Sequence, residues 1–409
     1  MNDSLHFDPP WPLKHTRRNA VALPIQRCAV VGAGLAGASV AAALARRGWQ
    51  VRVLDGADSP AAGASGLPVG LVVPHVSSDD CSLSRLSRAG VRLMRQQAQQ
   101  LLCAGQDWGP TGVLERQING TPQLPAHWPT EGRNWSQHAE PADFGTRVNL
   151  SGPAIWHPQG AWIKPSMLVQ AWLRQPGVTF QGGAAVSRLR RIKDEWVLLA
   201  ADGAELCRAE RVVLANACGA RALVQNLADD DPSWQAPLRQ LPACQGMRGV
   251  LSWAWHTEAV GAPVHFPQVP VNGSGSVIGA IPWGDAHAWF VGSTYQPANL
   301  PERPDTDNHA RNFTQLQTLL PDLATQLRSA FDGGHVQAWK GTRCIMADRL
   351  PVVGSLDSGE QPSLWLCAGM GSRGLSFSVL CAELLAARMG AEPWPLEAKL
   401  AKLLNALRA

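Results

Sequence analysis

The sequence has 409 residues, with 36 Lys and Arg against 32 Asp and Glu and a formal net charge of +4. Hydrophobic residues make up 45% of it and charged residues 17%, which excludes a disordered chain and favours two or three folded domains. A net charge this small permits a nucleic-acid partner without arguing for one.

The nine cysteines are scattered along the chain and include no C-x-x-C pair. This distribution favours reduced thiols in the cytoplasm over a disulfide framework or a metal site. The stretch 28–45 is apolar apart from Ser39 and follows Arg17-Arg18, so a secretion signal or a membrane span is the alternative interpretation. It is shorter than the about 20 residues that cross a bilayer. It also contains three glycines in a G-x-G-x-x-G pattern, so we predict no membrane segment.

The first half of the chain begins with an extended lead-in, residues 1–26, which has no apolar periodicity. A strand–turn–helix–strand pattern follows. The predicted segments are strand 28–31, turn 32–37, helix 38–47, strand 50–54, a glycine-rich loop at 63–70 and an amphipathic helix over 83–102. Residues 118–160 are rich in Pro and Trp, and we predict irregular structure there.

The second half of the chain has antiparallel signals followed by a parallel one. The predicted segments are a three-strand meander at 196–201, 205–209 and 211–214, a hairpin at 277–283 and 286–294, a strand at 364–368 and a helix at 375–389. Because parallel-sheet signals stand at both ends, the pattern predicts a nucleotide-binding domain that a second domain interrupts.

The stretch Gly32–Gly37 matches G-x-G-x-x-G between a predicted strand and a predicted helix. Gly32 permits a tight turn, Gly34 lets the backbone approach a pyrophosphate, and Gly37 lets helix and strand pack closely. Asp55 ends the second strand, at the distance from which a carboxylate accepts ribose hydroxyls. An acid at this position disfavours a 2′-phosphate, so the sequence predicts FAD or NAD and not NADP.

The stretch Gly369–Gly374 repeats the same pattern near the end of the sequence. The residues after it predict neither a second strand nor a ribose acid, so it does not begin a second dinucleotide domain. A glycine loop at a helix N terminus still binds anions or carbonyl oxygens. One long ligand that contacts both glycine loops fits this arrangement best, and FAD is such a ligand.

Six motifs occur in order along the chain: Gly32–Gly37, Gly63–Gly66, His157–Trp162, Gly341–Cys344, Asp348–Gly354 and Gly369–Gly374. Together they resemble the D-amino-acid-oxidase-like superfamily of FAD-dependent oxidoreductases. Within it, the sequence is most similar to the FAD oxidoreductase domain of the bifunctional enzymes that make 5-methylaminomethyl-2-thiouridine in tRNA. The resemblance runs from about residue 28 to the end of the sequence.

The resemblance implies a cofactor and a reaction. Members of that family convert 5-carboxymethylaminomethyl-2-thiouridine of tRNA to 5-aminomethyl-2-thiouridine and glyoxylate by flavin oxidation of a secondary amine. By resemblance, Gly63–Gly66 would line the FAD diphosphate, Gly369–Gly374 the flavin pyrimidine edge and Val213–Ala217 the adenosine. The predicted FAD-binding residues are Gly32, Gly34, Leu35, Ala36, Gly37, Asp55, Ala64, Ser65, Gly66, Gly70, Ala215, Asn216, Gly369, Gly371, Ser372, Arg373 and Gly374.

The expected fold class is α/β, and α+β overall, with a Rossmann-like FAD-binding domain interrupted by a mainly antiparallel-sheet substrate domain. We assign residues 27–77, 150–222 and 336–409 to the FAD-binding domain. We assign residues 78–149 and 223–335 to the substrate-binding domain.

A carboxymethylamine substrate requires a fixed cation near its carboxylate, and arginine binds a carboxylate bidentately. Arg343 and Arg373 are the candidates, since both lie in loops expected at the flavin face, and a structural ion pair is the alternative for each. Tyr295, the only tyrosine, could hydrogen-bond the substrate or pack in a hairpin. We expect FAD to be non-covalent, with a covalent link to Cys344 as the less favoured alternative, and we expect no metal.

Four arginines, Arg85, Arg88, Arg92 and Arg95, recur on one face of the predicted helix 83–102 and could neutralise tRNA phosphates. An ordinary solvated helix face is the alternative. Only a short lead-in precedes the glycine motif, so a separate methyltransferase is an expected partner. The alternative function is that of a FAD-dependent oxidase or dehydrogenase of a free amino acid or small amine.

Overall fold

A computed structural model of the protein describes residues 26–116, 124–140, 152–256, 264–357 and 361–408. Nearly all of the predicted lead-in and parts of the segment 118–160 lie outside these ranges. None of the helices in the described residues has the length and apolar character needed to cross a membrane.

The helices in the described residues run, in chain order, α1 Leu35–Ala45, α2 Ser82–Leu101, α3 Thr130–Arg133, α4 Pro165–Leu173, α5 Gly219–Asp230, α6 Gln235–Gln240, α7 Asp305–Leu319, α8 Pro321–Asp332, α9 Gly374–Met389 and α10 Ala398–Lys402. The strands run β1 Arg27–Val31, β2 Gln50–Leu54, β3 Gly70–Val72, β4 Trp108–Gly109, β5 Val113–Arg116, β6 Gln137–His138, β7 Ala154–His157, β8 Ala161–Ile163, β9 Val178–Gln181, β10 Arg188–Ile192, β11 Glu195–Leu199, β12 Glu205–Ala209, β13 Arg211–Leu214, β14 Cys244–Trp255, β15 Val271–Gly273, β16 Gly275–Trp283, β17 Ala286–Gly292, β18 Gln296–Pro297, β19 Gln337–Met346, β20 Val352–Ser355 and β21 Leu364–Ala368.

The chain forms two compact units, each assembled from separate stretches of sequence. Unit I consists of the described residues of 10–66, 165–246 and 343–409. Unit II consists of the described residues of 67–164 and 247–342. The domain boundaries predicted from the sequence lie elsewhere, at 77/78, 149/150, 222/223 and 335/336. The assignment of FAD binding and substrate binding to these parts of the chain stays a prediction.

Unit I is built on a six-stranded sheet in the order β20-β21-β13-β1-β2-β9. The pairs β1–β2, β1–β13, β2–β9 and β13–β21 are parallel, and β20 is antiparallel to β21. The chain passes from β1 to β2 on one side and later returns through β13 on the other side. The crevice at the carboxyl ends of β1 and β13 is therefore the topological switch point, where open α/β sheets bind their ligands.

The predicted meander has a different third strand in the structure. Strands β10, β11 and β12 form the antiparallel sheet, with the Asp202-Gly203 turn joining β11 to β12. Arg211–Leu214 instead pairs in parallel with β1 and β21 in the large sheet, so its assignment to the meander is wrong. Its fully buried Val212, Val213 and Leu214 suit a strand that is covered on both faces.

Helix α1 packs against α9 in unit I, and an ion-pair cluster joins the two helices. Helix α1 is apolar nearly all round and almost wholly buried. The carboxylate of Glu383, in the middle of α9, is fully buried and accepts from Arg46 at 2.6 Å and from Arg47 at 2.9 Å. Ser39 Oγ donates to the Ser378 carbonyl oxygen at 3.1 Å. These contacts fix α1 and α9 relative to each other.

Unit II contains a mainly antiparallel sheet in the order β18-β14-β17-β16-β15-β5-β7-β6. The predicted hairpin is confirmed as β16 and β17, which are antiparallel. Leu316, Leu319 and Leu323 from α7 and α8 share a core with residues of this sheet. Ala154–His157 is a buried strand within the segment 118–160, so the prediction of irregular structure is wrong there.

Candidate functional site

The loop that follows β1 has room only for glycine at two of its positions. Gly32 has φ +106°, and a Cβ there would lie 2.7 Å from the Ala215 carbonyl oxygen at the end of β13. A Cβ at Gly37 would overlap the carbonyl oxygen of Gly32. Glycine at these positions therefore lets the loop approach β13 and lets α1 begin directly above β1.

The N terminus of α1 has the features of an anion site. Its own first turn holds no acidic residue, so no carboxylate of the helix itself compensates the positive end of the helix dipole. The N–H of Leu35 donates to Ser65 Oγ at 2.9 Å, which places one hydroxyl acceptor at this helix end. Within the predicted loop Gly63–Gly66, Ala64–Gly66 is a 3₁₀ turn. Ala61 next to it donates its N–H to the Ala33 carbonyl oxygen at 3.0 Å. The two loops thus lie side by side.

Asp55 holds the same loop from the end of β2. Its Oδ2 accepts from the N–H of Ala33 at 2.7 Å, and its Oδ1 accepts from the N–H of Ala57 at 2.9 Å. A carboxylate has about four lone-pair sites, so these two bonds leave capacity for further donors. The structure shows a loop-fixing contact that the sequence did not suggest, and the ribose contact stays a prediction.

The end of β13 contributes a polar group without a partner among the described residues. Asn216 Oδ1 is buried and accepts no hydrogen bond there. Such an oxygen usually has a partner, because an unsatisfied buried acceptor costs about 1–3 kcal/mol. Asn216 follows Ala215, which lies against Gly32. This orphaned acceptor at the switch point fits a ligand that carries hydrogen-bond donors, as a dinucleotide does.

The second glycine loop lies beside the first in unit I. Gly369 has φ +74° and faces Met346, and Gly371 has φ +58°. The loop ends in a 3₁₀ turn and opens α9 at Gly374, where a Cβ would lie 3.2 Å from Leu35 Cδ1 of α1. Two loops about 340 residues apart in sequence therefore meet at the N termini of two packed helices. The prediction that one ligand contacts both loops requires this proximity.

The two candidate arginines lie close to the second glycine loop. Ile345 and Met370 form an isolated antiparallel bridge, and the N–H of Arg373 donates to the Met370 carbonyl oxygen at 3.1 Å. Arg343, two residues before the bridge on β19, is half-buried, as is Arg373. Both residues also have interactions within the protein. Their role towards a substrate carboxylate stays a prediction.

Two predicted site residues belong to unit II. Gly70 is buried at the start of β3. Tyr295 is 52% exposed and lies between β17 and β18. Its carbonyl oxygen accepts from Arg303. Its contact with a substrate and its packing in a hairpin both stay predictions.

The arginine stripe on α2 is not an exposed surface. Arg88 is buried and ion-paired with Asp80 at 2.9 Å, and its guanidinium lies 5.4 Å from the Trp128 ring centroid. Arg95 is half-buried over Trp108 and donates to the Gln159 carbonyl oxygen. Arg85 and Arg92 are also half-buried and have partners in the protein. The prediction that Arg88 contacts tRNA phosphate is therefore wrong. The alternative prediction, a fully solvated helix face, is wrong as well.

A cluster of three cysteines has no counterpart among the motifs of the sequence. The Sγ atoms of Cys218, Cys244 and Cys344 all lie within 4.8 Å of one another in unit I. The S–H of Cys344 donates to the sulfur of Cys218 and lowers the pKa of Cys218 to about 6, although burial opposes this shift. The same contact, together with burial, raises the pKa of Cys344. The covalent flavin link through Cys344 stays an untested alternative.

We expect Cys218 to be alkylated by iodoacetamide at neutral pH. The thiolate is the nucleophile, and a thiol with a pKa lowered to about 6 is mostly thiolate at pH 7. The alkylation rate, followed by peptide mass spectrometry, should rise through about pH 6 and level off near pH 7. Exposed Cys103 controls for access of the reagent. A Cys218 rate that still rises steeply above about pH 8 contradicts the lowered pKa.

Comparison with known families and structures gives consistent results. Residues 27–388 match the family model described as FAD dependent oxidoreductase. The chain is 54% identical over 409 residues to the tRNA 5-methylaminomethyl-2-thiouridine biosynthesis bifunctional protein of Albidiferax ferrireducens, and 48% identical to the protein of the same name in a Polaromonas species. The alignments cover 98% of this chain and 62% of each relative. The chain thus spans about three fifths of the length of these relatives.

Two solved structures with a similar fold are described as oxidases. Glycine oxidase from Geobacillus kaustophilus aligns with a TM-score of 0.71 at 19% identity, over 94% of this chain and 99% of that chain. Iminodiacetate oxidase from Chelativorans sp. aligns with a TM-score of 0.64 at 20% identity, over 94% of this chain and 100% of that chain. At these identities, the comparison establishes the fold.

Proposed function

The chain belongs to the FAD dependent oxidoreductase family, and from this premise we propose that it oxidises the C–N bond of a secondary amine carried by tRNA. The proposed reaction converts 5-carboxymethylaminomethyl-2-thiouridine to 5-aminomethyl-2-thiouridine and releases glyoxylate. The observation that supports it most strongly is the 54% identity to a relative named for the biosynthesis of 5-methylaminomethyl-2-thiouridine in tRNA. A tRNA substrate implies a cytoplasmic reaction.

The residues of unit I fit the FAD that the family requires. The N terminus of α1 and the turn Ala64–Gly66 would hold the diphosphate, and Asp55 would hold the ribose. The Oδ1 of Asn216 would accept from a hydrogen-bond donor on the adenosine side. Gly369–Gly374 would contact the flavin ring. When bound, FAD supplies the acceptor for the hydride that leaves the carbon next to the amine nitrogen.

The protein's own contribution is to bind and orient the amine. Arg343 and Arg373 flank the Ile345–Met370 bridge beside the second glycine loop. A guanidinium there can hold the carboxylate of the carboxymethyl group through two parallel hydrogen bonds. Such a clamp fixes the methylene carbon whose C–H bond breaks, and correct orientation of this kind lowers the barrier of a transfer reaction.

We also propose a separate methyltransferase as a functional partner, since the relatives are named as bifunctional proteins.

Replacing Arg343 by Met should lower kcat/KM for the carboxymethylaminomethyl tRNA about 100-fold. Two charge-assisted hydrogen bonds are lost, and a loss of about 2.7 kcal/mol corresponds to this factor. The affinity for tRNA that carries a methylaminomethyl group should be nearly unchanged, since this group lacks the carboxylate. Arg239→Met, an exposed change on α6, is the matched control. An affinity for this second tRNA that falls by a similar factor means that Arg343 has only a structural role. The same comparison with Arg373→Met tests the second candidate.

The function is tested by mixing the FAD-loaded protein under anaerobic conditions with tRNA that bears the carboxymethylaminomethyl group. We expect the flavin absorbance to bleach and one glyoxylate to appear for each flavin reduced. Unmodified tRNA is the negative control, and free glycine and sarcosine test the alternative function of a small-amine oxidase. Bleaching by the free amines, with full flavin absorbance in the presence of the modified tRNA, contradicts the proposal.

A further inference from the structure

Three cysteine sulfurs meet in unit I at a place that the proposed reaction does not use. Cys218 precedes the first residue of α5, Cys244 begins β14, and Cys344 lies near the end of β19. Their Sγ atoms are all within 4.8 Å of one another, although the residues are widely separated in sequence. Only the fold brings them together, so the absence of a C-x-x-C motif does not exclude a metal site here.

The spacing of the sulfurs suits coordination to a shared ion. Three sulfurs that bind one zinc ion at about 2.3 Å lie about 4 Å from one another. The observed spacing is within reach of this value through small side-chain adjustments. A disulfide requires two sulfurs to approach to about 2.05 Å, with a specific dihedral angle, so it asks for a larger rearrangement.

The surroundings allow an ion to enter and to be held. Cys344 is buried against the core of unit I, whereas Cys218 and Cys244 are partly exposed and leave a route from solvent. The guanidinium of Arg221 acts on Cys244, where a positive charge offsets part of the negative charge of a metal–thiolate complex. An all-sulfur set without carboxylate or imidazole selects soft cations over Mg²⁺ or Ca²⁺.

We propose that Cys218, Cys244 and Cys344 form a binding site for one thiophilic d¹⁰ cation, Zn²⁺ or Cu⁺. Each ligating cysteine binds as a thiolate, and any thiol proton still present passes to solvent when the ion binds. Three protein sulfurs complete a trigonal Cu⁺ site. For Zn²⁺ they leave a fourth position to water. The site differs from the sequence-based expectation that the protein has no metal, and it does not depend on the proposed function.

The first test uses the FAD-loaded protein with its cysteine thiols reduced. This protein is titrated under anaerobic conditions with Co²⁺, which is a coloured substitute for Zn²⁺. We expect thiolate-to-cobalt charge-transfer absorption that saturates at one equivalent and is displaced by Zn²⁺. A parallel titration with Cu⁺ against a chromophoric chelator measures the second ion. Binding of Zn²⁺ alone, of Cu⁺ alone or of both supports the site and identifies its ion.

Cys218→Ser and Cys244→Ser replace the two partly exposed ligands and leave the buried Cys344 in place. Each should weaken binding at least about 100-fold, since even outer-sphere partners of a metal site contribute 10–100-fold. Cys103→Ser, an exposed cysteine outside the cluster, should bind the ions as the unchanged protein does. Retention of FAD in all variants shows that they are folded.

Three results overturn the proposal. The first is the absence of stoichiometric Co²⁺, Zn²⁺ and Cu⁺ binding by the reduced protein. The second is binding that survives both Cys218→Ser and Cys244→Ser. The third is a mass 2 Da below that of the fully reduced chain, located by peptide mapping to a disulfide between two of the three cysteines, in a protein that binds no ion after reduction.

Discussion

Replacing Gly32 by Ala is expected to weaken FAD binding at least about 100-fold. The residue has φ +106°, which a side chain tolerates poorly, and its new methyl group would lie 2.7 Å from the Ala215 carbonyl oxygen and 2.9 Å from Asn216 Cα. The backbone must shift to relieve this overlap. That shift moves the loop away from β13, at the switch point where the dinucleotide is proposed to bind.

The measurement is the dissociation constant of FAD, from flavin fluorescence titration of the apoprotein. Gly203→Ala is the matched control, because Gly203 also has positive φ, at +86°, but a Cβ there meets nothing within 4 Å. This control separates the general strain of a non-glycine residue at positive φ from the specific overlap at β13. An FAD affinity in Gly32→Ala within about threefold of the unchanged protein contradicts the proposed place of the dinucleotide.

Replacing Glu383 by Ala should lower the free energy of unfolding by about 3–5 kcal/mol. The Glu383 side chain is fully buried between Arg46 and Arg47, and its removal leaves two guanidinium groups partly or fully desolvated without their shared carboxylate. Because this carboxylate joins α1 to α9, and both helices begin at the two glycine loops, we also expect a weaker affinity for FAD.

Urea denaturation followed by circular dichroism gives the unfolding free energy of Glu383→Ala. Glu205→Ala is its control, since Glu205 forms an exposed ion pair with Arg208 at 2.8 Å and such pairs contribute little. The control should keep the denaturation midpoint of the unchanged protein. A midpoint of Glu383→Ala equal to that of the control means that the buried cluster contributes nothing to stability.

The first strand–helix–strand unit could be predicted because its signals are local. The strand Gln50–Leu54 is confirmed to the residue, and α1 begins three residues earlier than predicted. Gly37 is required within this unit, since a Cβ there would overlap the carbonyl oxygen of Gly32, whereas the overlap at Gly32 is with Ala215 of the distant strand β13. The strand Leu364–Ala368 is confirmed for a similar reason, since it is a short, wholly apolar run.

Other features depend on partners that are distant in sequence. Arg211–Leu214 looks like a third meander strand because it follows two hairpin strands, but it pairs with β1 and β21 from both ends of the chain. The helical period of α2 placed its arginines correctly on one face. It could not show that Asp80 and Trp128 cover Arg88. The cysteine cluster was invisible for the same reason, since three separate elements supply it.

We propose that one FAD molecule contacts both glycine loops of unit I. A crystal structure of the protein with FAD bound tests this placement. We expect the diphosphate at the N terminus of α1, next to Gly32–Gly37, and the flavin ring at Gly369–Gly374. A bound FAD that contacts only one of these loops, or two separate ligands at the two loops, would contradict the account.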